Sequence, residues 1–196
     1  MTYHPSNPLI RSKNILCSTG NLPPLFPNLL DPSSVGMNMV LYTPGRTSSY
    51  PDEPVQSGIR IHFLGGGDEV GNVGVIIEDR TQTRILIDYG LAPTSPPRYP
   101  SESPYITDAI FTHAHIDHIG MAPWLVGNHQ TKLHATTLTS ALSRIMWKDT
   151  YKVSSIEGYP LPWDRRDEDE ANQSWETHSF NQWVQHESWK WQLHPA

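Results

Sequence analysis

Apolar residues first repeat regularly in the second quarter of the chain, where the pattern predicts three strands in succession. Ile59, Ile61 and Phe63 alternate with other residues, as in a half-buried strand. Two short apolar runs follow, over residues 73–77 and 84–88, with a polar turn between them. Runs of this length bounded by glycine and polar residues are typical of strands. We therefore predict that an ordered domain opens with three strands.

Further along, the pattern predicts strands that alternate with helices. Residues 106–111 and 132–135 are predicted strands, and each precedes a helical pattern. The second helix begins at a Thr136 or Thr137 cap and ends at Gly158. Its predicted apolar face consists of Leu138, Leu142, Ile145 and Met146. Strands alternating with helices indicate an α/β fold.

Two later segments complete the predicted domain. Residues 164–176 are highly charged and predict a solvated helix. Trp189, Trp191 and Leu193 alternate, so they share one face of a strand. The tryptophans of this region supply core area rather than a stacking platform for nucleic acid.

The N-terminal quarter lacks this regularity. Residues 1–57 hold half of all the prolines, with many serines and asparagines. Such a segment cannot bury enough apolar surface to offset its ordering entropy. We predict a disordered extension over residues 1–57 and an ordered domain over residues 58–196. Because Met37 and Met39 lie just ahead of the domain, the extension is either a genuine tail or an over-long gene start.

Composition narrows the class of protein. A chain of 196 residues is long enough for one domain with its own core. The formal net charge of −6 gives no general attraction for nucleic acid, so such a substrate requires a local basic surface. The single cysteine, Cys17, excludes an internal disulfide and fits a reducing compartment. Without a run of roughly 20 apolar residues or a secretory signal, we predict a cytoplasmic protein that does not enter a membrane.

The strongest chemical signal is a cluster of His113, His115, Asp117 and His118 directly after a predicted strand. Imidazole and carboxylate groups are the ligands that suit zinc and similar divalent ions. Burying these groups together without a metal would cost several kcal/mol unless each found a partner. If the strand continues, His113 and His115 face the same side. This pair can then hold one metal, and Asp117 with His118 a second metal beside it.

Three further segments resemble sequence motifs of a known protein family in which such a cluster occurs. Residues 64–71 resemble the opening L-G-x-x-x-E-V-G of β-CASP nucleases, in which Glu69 is either part of the signature or a plain surface carboxylate. Asp88, at the end of residues 84–88, resembles the first motif of the wider metallo-β-lactamase fold. Residues 135–139 read A-T-x-x-T, as in β-CASP proteins. The chain therefore resembles the metallo-β-lactamase-fold hydrolases, and within them most closely the β-CASP type that includes ribonuclease J.

The resemblance implies both a fold and an activity. The fold would be α/β, the N-terminal half of a metallo-β-lactamase αββα sandwich. The activity would be metal-dependent hydrolysis of RNA phosphodiester bonds with two zinc ions, held by His113, His115, Asp117 and His118. Asp117 would also orient the attacking water, and Asp88 would support the ligands through hydrogen bonds. RNA would be the partner, and the longer form of the protein could be a homodimer.

The same resemblance implies that ligands are missing. In β-CASP nucleases a strand like residues 189–193 runs into A-G-H, whose histidine is the third metal motif, whereas this chain ends on Ala196. Hydrolytic zinc usually has three protein ligands and one open position. We therefore expect the 196-residue chain alone to bind metal weakly, fold poorly and lack activity.

Two other functions stay open. One is a different hydrolase of this fold, acting on thioesters, lactones or lactams, although the segments at residues 64–71 and 135–139 argue against it. The other is a non-catalytic half-domain, either truncated or completed by a partner. Outside the cluster, we predict that His134 is structural, and that the spacing of His178, His186 and His194 fits no local ligand geometry.

Overall fold

The computed structural model describes residues 50–51, 53–56 and 58–195. The predicted disorder of residues 1–57 falls almost entirely outside this part of the chain. Tyr50, however, is buried, and its hydroxyl donates a hydrogen bond to Glu78. Contacts with the domain therefore begin at least eight residues before the predicted boundary at residue 58.

A six-stranded sheet forms the centre of the domain. Its strands are β1 (Ile59–Gly65), β2 (Gly74–Asp79), β3 (Arg84–Tyr89), β4 (Asp108–Ile110), β5 (Lys132–Ala135) and β6 (Trp175–Thr177). Their order in the sheet is their order in the chain. The pairs β1–β2 and β2–β3 are antiparallel, whereas β3 to β6 run parallel. Two further strands, β7 (Val184–His186) and β8 (Trp189–Trp191), form a separate antiparallel hairpin.

Helices fill the connections from β4 to β5 and from β5 to β6, as in βαβ units, whereas an irregular loop connects β3 to β4. The helices are α1 (Ile116–Ile119), α2 (Ala122–His129), α3 (Thr137–Glu157) and α4 (Arg165–Gln173). Thr136 caps α3 by accepting a hydrogen bond from the Thr139 amide, and Gly158 ends it at φ 76°. Both ends of α3 and the α/β fold class are thereby confirmed. No helix of the described segments is long and apolar enough to cross a membrane.

One face of the sheet packs against the helices through buried tryptophans. Trp147 of α3 stacks on Trp175 of β6 with ring centroids 5.8 Å apart. The indole nitrogen of Trp147 donates a hydrogen bond to the Ile119 carbonyl over 2.9 Å. The indole nitrogen of Trp163 donates one to the Gly120 carbonyl over 2.8 Å. Trp147 and Trp163 therefore each have a partner for their one polar atom. These bonds fix the helices immediately after the predicted metal cluster.

Helix α3 presents its polar side to this core, opposite to what its pattern suggests. Its buried residues are Thr139, Ser140, Ser143, Trp147 and Ser154. Leu138 and Ile145 of the predicted apolar face are 68% and 62% exposed. The predicted apolar face exists, but in the described part of the chain it is turned towards solvent. Small serine and threonine side chains leave room for one large indole, which fills the space that several leucines would otherwise occupy.

The other face of the sheet carries the alternating residues of β1. Ile59, Ile61 and Phe63 alternate as predicted, yet each is more than half exposed because β1 is the edge strand and the helices lie on the opposite face. The hairpin lies against a different part of the domain: the indole nitrogen of Trp189 donates to the Thr83 carbonyl over 3.4 Å.

Candidate metal centre

Asp88 stands at the point where β3 ends and the cluster is assembled. Its backbone adopts φ 55°, a left-handed conformation in which Asp and Asn are several-fold enriched among residues other than glycine. One carboxylate oxygen accepts the Thr112 amide and the other accepts the Thr112 hydroxyl, each over 2.8 Å. The second oxygen also lies 2.7 Å from His118 Nδ1. A single buried carboxylate thus ties the end of β4 to helix α1.

The three histidines of the cluster lie side by side. His113 Nε2 is 3.1 Å from His115 Nδ1, so the predicted alignment of these two rings on one side is what the structure has. The ring centroids of His113 and His118 are 4.0 Å apart. His118 Nε2 lies 3.7 Å from the Asp117 carboxylate. All four predicted ligands therefore meet around the N-terminus of α1.

Backbone contacts hold α1 against the sheet. The Val73 amide donates to the Asp117 carbonyl over 2.9 Å, and the Leu91 amide donates to the Ile116 carbonyl over 3.1 Å. Gly90 passes so close that a Cβ atom there would lie 1.8 Å from the Asp117 carbonyl oxygen. Only a residue without a side chain lets the strand end approach the cluster in this way.

The rings differ in their affinity for protons. Burial lowers the pKa of His113, and the neighbouring His118 and His115 lower it further. The hydrogen bond to Asp88 raises the pKa of His118 and outweighs the opposing effect of burial. His113 is thus favoured in the neutral form, which is the form of imidazole that binds a metal.

The donor set fits a divalent metal. A histidine that binds a metal usually gives its other ring N–H to a carboxylate, which fixes the tautomer and orientation of the ring. Asp88 does this for His118, because its contact with Nδ1 leaves Nε2 free on the Asp117 side. The assignment of His113 with His115 to one metal and of Asp117 with His118 to another stays a prediction.

The glycine-rich segment of residues 64–71 acts as a support for the loop beyond it. One Glu69 carboxylate oxygen accepts from the Asn72 side chain over 2.7 Å, and the other is 2.7 Å from the Arg98 guanidinium. Glu69 therefore has a structural role in joining two loops.

Sequence reasoning missed the part played by Thr112, although it directly precedes the first histidine. Spacing along the chain also gave no sign that His134 and His178 lie together. His134 Nδ1 lies 3.0 Å from His178 Nε2, and Glu176 lies beside both. Residues far apart in sequence meet here because β5 and β6 are parallel neighbours.

Comparisons with known proteins agree with this geometry. The family described as the metallo-beta-lactamase superfamily matches residues 66–180, which is more than half of the chain. RNase aCSPSF2 of Saccharolobus solfataricus is 32% identical over 108 residues, covering 53% of this chain and 22% of that protein. The transcription termination factor FttA of Methanocaldococcus jannaschii is 32% identical over 117 residues, covering 56% and 18% respectively.

A eukaryotic relative matches a longer stretch. Cleavage and polyadenylation specificity factor 73 of Drosophila melanogaster is 28% identical over 142 residues, covering 67% of this chain and 20% of that protein. The chain spans about a fifth of the length of these relatives. The resemblance drawn from the motifs is confirmed, and with it a fold that implies binding of divalent metal. The chain belongs to the metallo-beta-lactamase superfamily.

Proposed function

We propose that this domain serves metal-dependent hydrolysis of RNA phosphodiester bonds, as in the β-CASP nucleases that its motifs resemble. The observation that carries the proposal is the grouping of His113, His115, Asp117 and His118 around the N-terminus of α1, with the His118 ring held by the Asp88 carboxylate. Hydrogen-bonded imidazole and carboxylate groups at the end of parallel strands form a preorganised set of ligands. The orientation of the His118 ring is set by Asp88 before any metal arrives.

The residues of the chain have separate roles in this proposal. His113 and His115 would hold one zinc ion, and Asp117 and His118 a second. Bound zinc supplies an activated water at neutral pH and stabilises the negative charge that develops on phosphate oxygens. Asp117 is partly exposed next to His118, so its carboxylate can also accept a proton from, and orient, a water molecule. Asp88 keeps the His118 ring in place through its hydrogen bond.

RNA is proposed as the substrate from the relatives. One is named as an RNase and another as a cleavage and polyadenylation specificity factor, and the family match at residues 66–180 contains the cluster. Because these proteins are much longer than the chain, the activity is proposed for the protein as its gene encodes it. The cytoplasmic location and the homodimer remain predictions.

The test measures metal content and RNA cleavage on the same protein samples. The protein, expressed from its complete gene, is assayed for zinc by mass spectrometry and for cleavage of an end-labelled single-stranded RNA. Asp117→Asn should lower cleavage by about 10²–10⁴-fold, the range for loss of a group that handles the reacting proton. The matched control is Asp149→Asn, because Asp149 is exposed on α3 away from the cluster.

Two results would overturn the proposal. Undiminished RNA cleavage by Asp117→Asn would show that the cluster is not the reaction centre. Hydrolysis of a thioester with no cleavage of RNA would keep the metal site and assign it to another reaction of the superfamily.

A further inference from the structure

A second group of histidines lies on the sheet, with no residue in common with the His113–His118 cluster. His134 of β5 and Glu176 of β6 are direct partners in the parallel pairing. Side chains of paired residues point to the same face, and so does the side chain two positions along. His178, two residues after Glu176, therefore joins them on one face of the sheet. The register of two parallel strands thus brings two imidazoles and a carboxylate together.

The distances suit one small cation. His134 Nδ1 is 3.0 Å from His178 Nε2 and 3.8 Å from Glu176 Oε2. One ligand atom from each of the three residues lies within 4.8 Å of the other two. For a tetrahedral zinc ion with bonds of about 2.0 Å, ligand atoms lie about 3.3 Å apart. The two distances from His134 Nδ1 lie on either side of this value, and rotation of the flexible glutamate can bring its oxygen closer.

Asp108 orients the central ring. Its Oδ1 lies 2.8 Å from His134 Nε2 and can accept the N–H of that nitrogen. The neutral ring then carries its lone pair on Nδ1, which faces His178 and Glu176. A carboxylate behind a histidine in this way is the usual support of a metal-binding imidazole. His134 is 5% exposed, so this orientation is fixed by packing as well as by the hydrogen bond.

The side of the group that Glu176 occupies, away from Asp108, is open to solvent. Glu176 is exposed, and its Oε1 pairs with Lys132 over 3.1 Å, while its Oε2 is the atom closer to His134. Trp191 of β8 lies edge-on to both rings, with centroids 5.6 Å from His134 and 5.0 Å from His178. Three ligands with one side open to solvent leave a position for water.

We propose that His134, Glu176 and His178 form a second binding site for a divalent cation of the zinc type, with Asp108 as its positioning residue. The site stands independently of the proposed hydrolase function, since its ligands come from β5, from β6 and from the residue that follows β6. The competing explanation is a hydrogen-bonded pair of rings, in which His178 Nε2–H donates to His134 Nδ1 and no cation is held.

The test first disables metal binding at the His113–His118 cluster by substitution and then measures how many metal ions the protein still binds. In the full-length chain, His115→Asn with Asp117→Asn disables the cluster, and the protein is titrated with Co²⁺ as a zinc probe with a visible absorption band. We expect about one residual Co²⁺ per chain. Adding Glu176→Gln or His178→Asn should weaken this residual binding at least 10-fold. Glu176 is exposed, so its substitution leaves the fold intact, as circular dichroism should show.

The matched control is His194→Asn, because His194 is exposed and belongs to neither group. It should leave the residual Co²⁺ binding unchanged. Absence of residual binding in the cluster-disabled protein would overturn the proposal in favour of the hydrogen-bonded pair. Residual binding that survives both Glu176→Gln and His178→Asn would overturn it as well, since the ion would then lie elsewhere.

Discussion

The Nδ1 atom of His118 lies 2.7 Å from Oδ2 of Asp88, at the junction where strand β3 meets helix α1. Asp88→Asn tests this contact cleanly, because asparagine also tolerates the left-handed backbone found at φ 55°. The amide cannot accept as strongly from the ring or hold it in one orientation. We expect metal affinity to fall by about 10–100-fold, as for loss of other carboxylates behind metal-binding histidines.

Equilibrium dialysis against zinc measures this effect in Asp88→Asn and in the exposed control Asp149→Asn. Equal affinities in the two variants would contradict the role assigned to Asp88. A large loss of thermal stability in Asp88→Asn without metal would show instead that the carboxylate acts on the fold.

Because Gly90 lies so close to helix α1, we expect Gly90→Ala to lower the free energy of unfolding more than an alanine substitution at another glycine does. A Cβ atom at Gly90 would lie 1.8 Å from the Asp117 carbonyl oxygen, so the strand end or the helix must move. Gly158→Ala is the matched control: its surroundings are empty and its cost of about 1 kcal/mol comes only from its positive φ. Urea unfolding should show a clearly larger loss for Gly90→Ala. A smaller loss than in the control would contradict the packing.

His129 at the end of α2 predicts a loss of stability in mild acid. Burial lowers the pKa of His129 to about 4 from its ordinary 6.5, so the folded protein keeps this ring neutral. The unfolded chain binds a proton as soon as the pH falls below the ordinary value. The stabilising contribution is therefore complete above pH 6.5 and is lost between there and about pH 4. It amounts to roughly 3.5 kcal/mol, because the pKa difference of about 2.5 units corresponds to about 1.4 kcal/mol for each unit.

The measurement compares urea midpoints at pH 7 and pH 4.5 for the wild type and His129→Gln. Glutamine has similar bulk and does not titrate in this range. The difference between the two proteins isolates His129 from other titrating groups, and the wild type should lose more stability. Parallel pH profiles would contradict a buried neutral ring.

On helix α3, we expect substitutions of the apolar residues Leu138 and Ile145 to be tolerated and substitution of Trp147 to be destabilising, because the apolar face is the exposed one. Leu138→Gln and Ile145→Gln replace exposed side chains, so each should change the free energy of unfolding by no more than about 0.5 kcal/mol. Trp147→Ala empties the space under β6 and should cost about 3–5 kcal/mol. Thermal denaturation with the same set of variants checks both halves of the prediction. Severe destabilisation by Leu138→Gln would mean that the helix is turned the other way.

Groups of residues that are close in sequence could be predicted, whereas contacts between residues far apart in sequence could not. His113 and His118 were predictable because a single short segment holds the cluster, and Asp88 was predictable because it ends a strand beside it. The meeting of His134 with His178 depends on the register of β5 and β6, which no local spacing records. The buried face of helix α3 was not predictable for a different reason. One indole and several hydroxyl groups form its contact with the core, so no stripe of apolar residues marks that face in the sequence.

The agreement between strand order in the sheet and strand order in the chain bears on how the domain is made. A ribosome releases the chain from its N-terminus, so each new strand emerges after the neighbour to which it will pair. Each strand can then pair with the strand made just before it, so assembly can proceed along the sheet in one direction. Domains of this kind need no late insertion of a strand between two others, and synthesis itself supplies the order of events.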